Sequence, residues 1–221
     1  MRIILRCVRG GPSNPLVYKG YTPKMDEAVV RSLARWPNVP AAFGWLALDA
    51  RGNWLLRDPL DETRFERIAN VQLRDFIARN YAADARGRWY FQNGPQRVFV
   101  KLHLTPLVLR LNDGWTDHCD RPVRDITGAW LDDRGAVILE CEYGVGVVDD
   151  RDLERFSNLL IGPAEEVIFE CRSAGKPDDC VVGMLRCNAG TDFERQLPLY
   201  RVESAALADR FGYILDPQPD Y

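Results

Sequence analysis

The sequence predicts an α+β protein of two small lobes, each with antiparallel hairpins packed on one or two helices, related as a tandem repeat. Three observations carry this. The turn Asp49-Ala50-Arg51-Gly52-Asn53-Trp54 recurs almost letter for letter as Asp84-Ala85-Arg86-Gly87-Arg88-Trp89. Ala47 to Leu56 aligns with Trp130 to Leu139, with Leu48, Asp49, Arg51, Gly52 and Leu56 matched by Leu131, Asp132, Arg134, Gly135 and Leu139. Asp152-Leu153-Glu154-Arg155-Phe156 then echoes Gln72-Leu73-Arg74-Asp75-Phe76, so a helix follows a hairpin in each half.

Residues 1–24 read as a poorly ordered basic extension, because Arg2, Arg6, Arg9, Lys19 and Lys24 meet no acid and Gly10-Gly11-Pro12-Ser13-Asn14-Pro15 is loop composition. Translation starting at Met25 is one expectation this contrast raises. The N-terminal α+β lobe is expected over 25–115 and the C-terminal α+β lobe over 116–221.

A helix is predicted from Met25, with Asp26 and Glu27 in its first turn and Val29, Leu33 and Trp36 on one face. Pro37 and Pro40 stop it. A strand Phe43 to Leu48 and its return Trp54 to Arg57 flank the first turn, where Asp accepts backbone hydrogen bonds and Gly supplies positive φ. After a polar loop from Asp58, Asn70 caps a helix whose Val71, Leu73, Phe76, Ile77 and Tyr81 recur at near-helical spacing.

The second hairpin gives strands Arg88 to Gln92 and Arg97 to Leu104, with Val98, Val100, Leu102 and Leu104 on one face. Leu107 to Leu111 finishes the first lobe. In the second lobe, the hairpin at Trp130 to Leu139 is followed by a helix near Asp152, strands Val167 to Cys171 and Cys180 to Arg186, and a helix from Ser204 to Arg210 that Gly212 ends. Gly144-Val145-Gly146 reads as a flexible turn.

Composition excludes several classes. No apolar run of the 221 residues approaches the roughly 20 needed to cross a bilayer, and no secretory core follows Arg2, so a cytoplasmic protein without a membrane partner is expected. The net charge is -3, with acids interleaved among the arginines, which argues against a nucleic-acid partner. Six cysteines show no Cys-x-x-Cys pair, so reduced thiols and no metal site are expected.

No phosphate-cradling loop or nucleophile elbow is present, and no cofactor is implied. His118-Cys119-Asp120 is the one local cluster suited to a metal or an activated thiol; a solvated loop is the plainer reading. Asp149-Asp150-Arg151-Asp152 reads as helix capping rather than a cation site. The strongest binding candidate is the turn Asn93-Gly94-Pro95-Gln96-Arg97. It presents amide and guanidinium groups beside aromatics, so Trp89, Asn93, Gln96, Arg97 and His103 are the candidate ligand-binding residues, with no catalytic residue assigned.

The pattern Gly44-Trp45-Leu46, Asp49-x-Arg51-Gly52-x-Trp54, Gly87-Arg88-Trp89 and Asn93-Gly94-Pro95-Gln96-Arg97-Val98-x-Val100 through Thr105-Pro106 resembles uncharacterised bacterial proteins of the domain-of-unknown-function kind. The resemblance covers roughly residues 36 to 215. It implies two lobes of repeated α/β motifs and a role in signalling, and supplies no catalytic residues.

The expectation is therefore a non-enzymatic binding module for a small molecule or protein partner, seated at the first lobe or between the lobes. An enzyme using Asp49, Asp84 and Arg97 in a cleft is the alternative. A homodimeric scaffold is a third reading.

Overall fold

The computed structural model describes residues 25–162, 180–188 and 194–220. The basic extension 1–24, the strand expected at Val167 to Cys171 and the loop through Gly175 lie outside the described residues. Two mixed sheets, of six and eight strands, each carry short helices and define an α+β, two-lobed architecture.

Helix α1 (Glu27–Arg35) buries Val29, and the Glu27 and Arg31 side chains face each other one turn apart at 3.5 Å. Trp36 is not on its buried face. It follows the last turn, ahead of Pro37, and is 50% exposed with Arg35 over its ring. Asp26 does not cap with its side chain; its N–H donates to the buried Asn80 amide oxygen, and its carboxylate receives Arg79.

Strands β1 (Ala42–Leu48) and β2 (Trp54–Arg57) form the expected hairpin, and β3 (Phe65–Arg67) adds to β2 where a loop was predicted. Helix α2 (Val71–Arg79) is capped by Asn70, whose side chain accepts from the Leu73 N–H at 3.0 Å. It buries Ile77 but leaves Val71 and Leu73 exposed. It ends before Tyr81, which begins strand β4 (Tyr81–Ala83) instead. The apolar spacing continued past the helix because β4 is itself buried.

Strands β5 (Trp89–Asn93) and β6 (Gln96–Leu102) complete the first sheet, in the order β3-β2-β1-β6-β5-β4, with β1 and β6 parallel at its centre. The alternation on β6 is as expected, Val98, Val100 and Leu102 joining the main core and Phe99 facing the other way.

The hairpin β7 (Leu107–Leu111) and β8 (Trp115–Asp117) hydrogen-bonds into the second sheet, through the parallel pairing of β7 with β11 (Gly144–Val148). Sheet membership therefore changes between Leu102 and Leu107. The segment read as a flexible turn at Gly144 is strand β11: its glycines permit close approach, since a Cβ on Gly146 would meet the Leu109 side chain at 2.8 Å.

Strands β9 (Ile126–Asp132) and β10 (Val137–Cys141) form the hairpin read from the sequence. A 3-10 turn at Asp150–Asp152 and helix α3 (Leu153–Ser157) lead to β12 (Leu160–Ile161), β13 (Val181–Asn188) and β14 (Glu194–Val202). β14 was missed by the sequence reading. After it come a 3-10 turn at Ser204–Ala206 and helix α4 (Leu207–Phe211).

Setting β7 and β8 aside, the second sheet reads β11-β10-β9-β14-β13-β12, with β9 and β14 parallel. That is the order and sense of β3-β2-β1-β6-β5-β4. Each half is a three-stranded meander, a helix and a second meander whose last strand lies beside the first.

One continuous core joins the sheets, from Leu46 and Trp89 to Val202 and Phe211. The lobes also clasp each other. Arg51 makes a two-pronged ion pair with Asp150 at 3.0 and 2.9 Å, and Arg110 donates to the Arg51 carbonyl at 3.2 Å. The C-terminal segment returns to the first lobe, where the Tyr213 hydroxyl donates to the Leu104 carbonyl at 2.7 Å.

Candidate functional site

The repeated aspartate turns are structural hubs. At Asp49 one carboxylate oxygen accepts from the backbone N–H of Arg51 and Asn53, and at Asp84 from those of Arg86 and Arg88. Asp132 does the same for Arg134 and Ala136. Gly52, Gly87 and Gly135 take the left-handed position in each turn, with φ of 75°, 76° and 84°. Asp49 and Asp84, the carboxylates of the enzyme alternative, are thus engaged in separate turns of their own.

A fourth turn of this kind, missed in the sequence, is Asp117-His118-Cys119-Asp120-Arg121. Asp117 accepts from the N–H of Cys119 and Arg121, and Asp120 occupies the left-handed position at φ 59°. The signature was hidden because Asp stands where the others carry Gly. Asp120 is exposed at the tip of the turn, but His118 is buried. His118 packs against both the Trp54 and Tyr81 rings, with centroids at 5.2 and 5.6 Å, and its Nδ1 accepts the Val108 N–H at 3.3 Å.

Burial pushes the His118 pKa down from 6.5 to about 4, against the opposing pull of Asp117. Burial also raises the Cys119 thiol well above its ordinary range, although His118 Nε2 stands 3.6 Å from its sulfur. A thiol held in its protonated form is not an activated nucleophile. Among the described residues no three His, Cys, Asp or Glu side chains converge as metal ligands.

The residues singled out near the second hairpin separate onto different surfaces. Trp89 is 2% exposed and packs on the inner face against Tyr81, with ring centroids 4.8 Å apart. Asn93 is exposed at the hairpin tip. Gln96 donates to the Pro40 carbonyl at 3.0 Å and ties the segment before β1 to that tip. His103 is exposed just beyond the end of β6. Arg97 faces outward from the sheet, its guanidinium 4.6 Å over the Tyr90 ring.

Arg97 belongs to a surface the sequence reading only touched. On the outer face of the first sheet, Phe43 stacks on Phe99 at 4.6 Å and 12°, and Tyr90 meets Phe99 edge-on at 5.9 Å. Three guanidiniums lie on this aromatic floor: Arg97 over Tyr90, Arg88 over Phe99 at 4.7 Å and Arg57 over Trp45 at 4.5 Å. Arg88 is paired with Asp84 and Asp220 at 2.8 and 3.2 Å. Arg97 has no carboxylate partner among the described residues. Arg57 has only the exposed Glu62 at 3.9 Å, and its Nε makes no hydrogen bond among them. Trp45 is 41% exposed.

A guanidinium stacked by its face keeps its in-plane N–H donors free for a carboxylate or phosphate. Trp45 and Arg57 carried a period-two signal across β1 and β2, but pairing them required the hairpin register, in which Leu46 faces Leu56.

The corresponding face of the second lobe is closed. Gly128 stands where the turn alignment places Trp45, and a Cβ there would meet the Trp130 ring at 2.2 Å. Trp130 is in turn covered edge-on by Phe211 of α4 at 4.8 Å, with Arg210 over its ring at 5.6 Å.

A family model described as "Protein of unknown function (DUF2946)" matches residues 25–218. Among solved structures, a DUF1285 family protein from Silicibacter pomeroyi DSS-3 is similar at 14% identity. The match covers 59% of this chain and 77% of that one, with a TM-score of 0.39. No curated protein matches.

Proposed function

We propose that this chain, which belongs to the family of proteins of unknown function described as DUF2946, is a non-enzymatic binding module in cytoplasmic signalling. Its lobes share one strand order, and among the described residues the outer face of the first presents Trp45 and Arg97 to a ligand or partner. The observation that carries the reading is the pair of stacked guanidiniums, Arg97 on Tyr90 and Arg57 on Trp45, which lack a close carboxylate partner among the described residues.

Two features support this placement. Aromatic and Arg side chains are the types that dominate binding energy at interfaces. Among the described residues the matching face of the second lobe is covered, with Phe211 of α4 edge-on to Trp130. Among the described residues Cys119 and Cys141 are free thiols, which fits a reducing compartment. No helix among the described residues is long and apolar enough to cross a membrane.

The test is a thermal-shift screen of nucleotides, carboxylate metabolites, sugars and acidic peptides, run in parallel on the wild type and on the Arg57→Ala/Arg97→Ala variant. Ligand at about 100 times its dissociation constant adds roughly 2.7 kcal/mol of stability, several degrees for a chain of this size. A hit that is lost in the variant supports the reading. A hit of equal size in both forms removes the ligand from this face.

A further inference from the structure

We propose that the outer face of the first sheet docks an acidic, proline-containing extended segment of a partner protein, and that the chain's own C-terminal strap, Asp216–Asp220, is its internal stand-in. The inference rests on the binding surface argued above and names the chemistry of its partner.

After α4, Gly212 turns the chain at φ 67°, and the next residues are fixed to the first lobe by the backbone. Ile214 N–H donates to the Gly87 carbonyl at 3.0 Å, and Leu102 N–H donates to the Leu215 carbonyl at 2.7 Å. Beyond Leu215 the anchoring changes character. Asp216 receives Lys101 Nζ at 3.0 Å, while Asp220 receives Arg86 at 2.5 Å and Arg88 at 3.2 Å. Between these acids Pro217 is buried, whereas Asp216, Gln218, Pro219 and Asp220 are exposed. Against a desolvation that would raise it, the guanidiniums of Arg86 and Arg88 hold the Asp220 carboxyl below the usual carboxylate range.

The strap is thus held by two carboxylates and one proline. At the polyproline rise of roughly 3.1 Å per residue, acids four positions apart span roughly 12 Å. Pro217 and Pro219 favour that extended form in the residues before them.

Arg97 and Lys101 lie two residues either side of Phe99 on β6, so they share the face over which Arg88 lies. The strap neutralises Lys101 and Arg88 and makes no ion pair with Arg97 or Arg57. Arg88 in the occupied half and Arg97 and Arg57 in the open half are guanidiniums on an aromatic floor, and the occupied half already holds an acidic chain. Charge complementarity therefore selects an acidic partner that spans both halves, displacing the strap from Lys101 and Arg88 and reaching Arg97 and Arg57.

The experiment uses the full chain and a fluorescein-labelled peptide of sequence Ile-Leu-Asp-Pro-Gln-Pro-Asp, read by anisotropy, with a control peptide in which both Asp are Asn. The Asp216→Asn/Asp220→Asn chain, whose strap is weakened, should bind the acidic peptide about tenfold more tightly than the wild type, and the control should not bind. Adding Arg57→Ala and Arg97→Ala should remove about tenfold of that affinity, with thermal unfolding showing each variant folded.

Equal binding to wild type and strap variant, or no binding to either, overturns the proposal. If the peptide fails while a small-molecule hit still depends on Arg57 and Arg97, the acidic segment is refuted and the binding face stands. If peptide binding ignores Arg57 and Arg97, the face itself is refuted. A strap variant that dimerises shows a second copy as occupant, which also overturns the proposal.

Discussion

Lowering the pH should weaken the fold through His118. In the folded chain Nδ1 accepts the Val108 N–H, so the neutral ring carries its proton on Nε2, toward Cys119. Protonation would place a second N–H against that of Val108, in a site walled by Trp54 and Tyr81. The folded pKa of about 4 lies below the ordinary 6.5. Between these values the unfolded chain binds more protons, so stability rises with pH. The contribution is complete above the unfolded value and is lost as pH falls from 6.5 toward about 4.

Between about pH 7 and about pH 5 the loss works out to about 2 kcal/mol. The assay is urea unfolding at both pH values for the wild type and His118→Phe, which keeps a ring in the site. The variant forfeits the Val108 hydrogen bond, about 1 to 3 kcal/mol at every pH. Carboxylate titration is common to both proteins, so the difference between their pH dependences isolates the imidazole. A wild type that loses no more stability than the variant would falsify the buried, neutral histidine.

The Asp-turn glycines provide a paired comparison. Gly87→Ala should destabilise by about 3 kcal/mol, since a left-handed Ala costs 1 to 2 and its Cβ would fall 1.9 Å from the Gly212 carbonyl, forcing the C-terminal segment away. Gly135→Ala, with similar φ and open space around it, should cost only about 1 kcal/mol; equal chemical-denaturation midpoints for the two would contradict the packing. Cys119 should resist iodoacetamide at neutral pH in the folded chain and react after unfolding, as mapped by peptide mass. Arg97→Ala alone should shift stability by less than about 1 kcal/mol, because an exposed cation–π contact contributes no more, and a large drop in melting temperature would assign Arg97 to the fold rather than to binding.

Local chemistry was legible where its residues carried the usual signature, and the Asp117 turn, with Asp120 in the glycine position, escaped for lack of it. The Asp-x-x-Gly turns, the Asn70 cap and the alternation of Val98, Val100 and Leu102 were each read correctly from spacing. The elements missed were those whose pattern depends on distant partners. β3 is a three-residue edge strand made by pairing with β2, and β11 reads as a glycine turn until β7 and β10 flank it. The parallel pairs β1 with β6 and β9 with β14 have no local signature at all.

The same distinction governs the site. Trp89 and Arg97 are close in sequence but alternate to opposite faces, so one is core and the other surface. Trp45, Arg57 and Arg97 come from three strands and meet only through register. His118 looked solvated because its neighbours are polar, yet the turn's left-handed Asp120 folds it beneath the other lobe.

The most direct test of the outer-face surface follows the Nε–Hε resonances of Arg57 and Arg97 in ¹⁵N-labelled strap variant as the acidic peptide is added. Progressive shifts of both signals, with that of Arg51 at the lobe junction unmoved, are expected. Unchanged Arg57 and Arg97 signals while others move would show that binding occurs elsewhere and contradict the account.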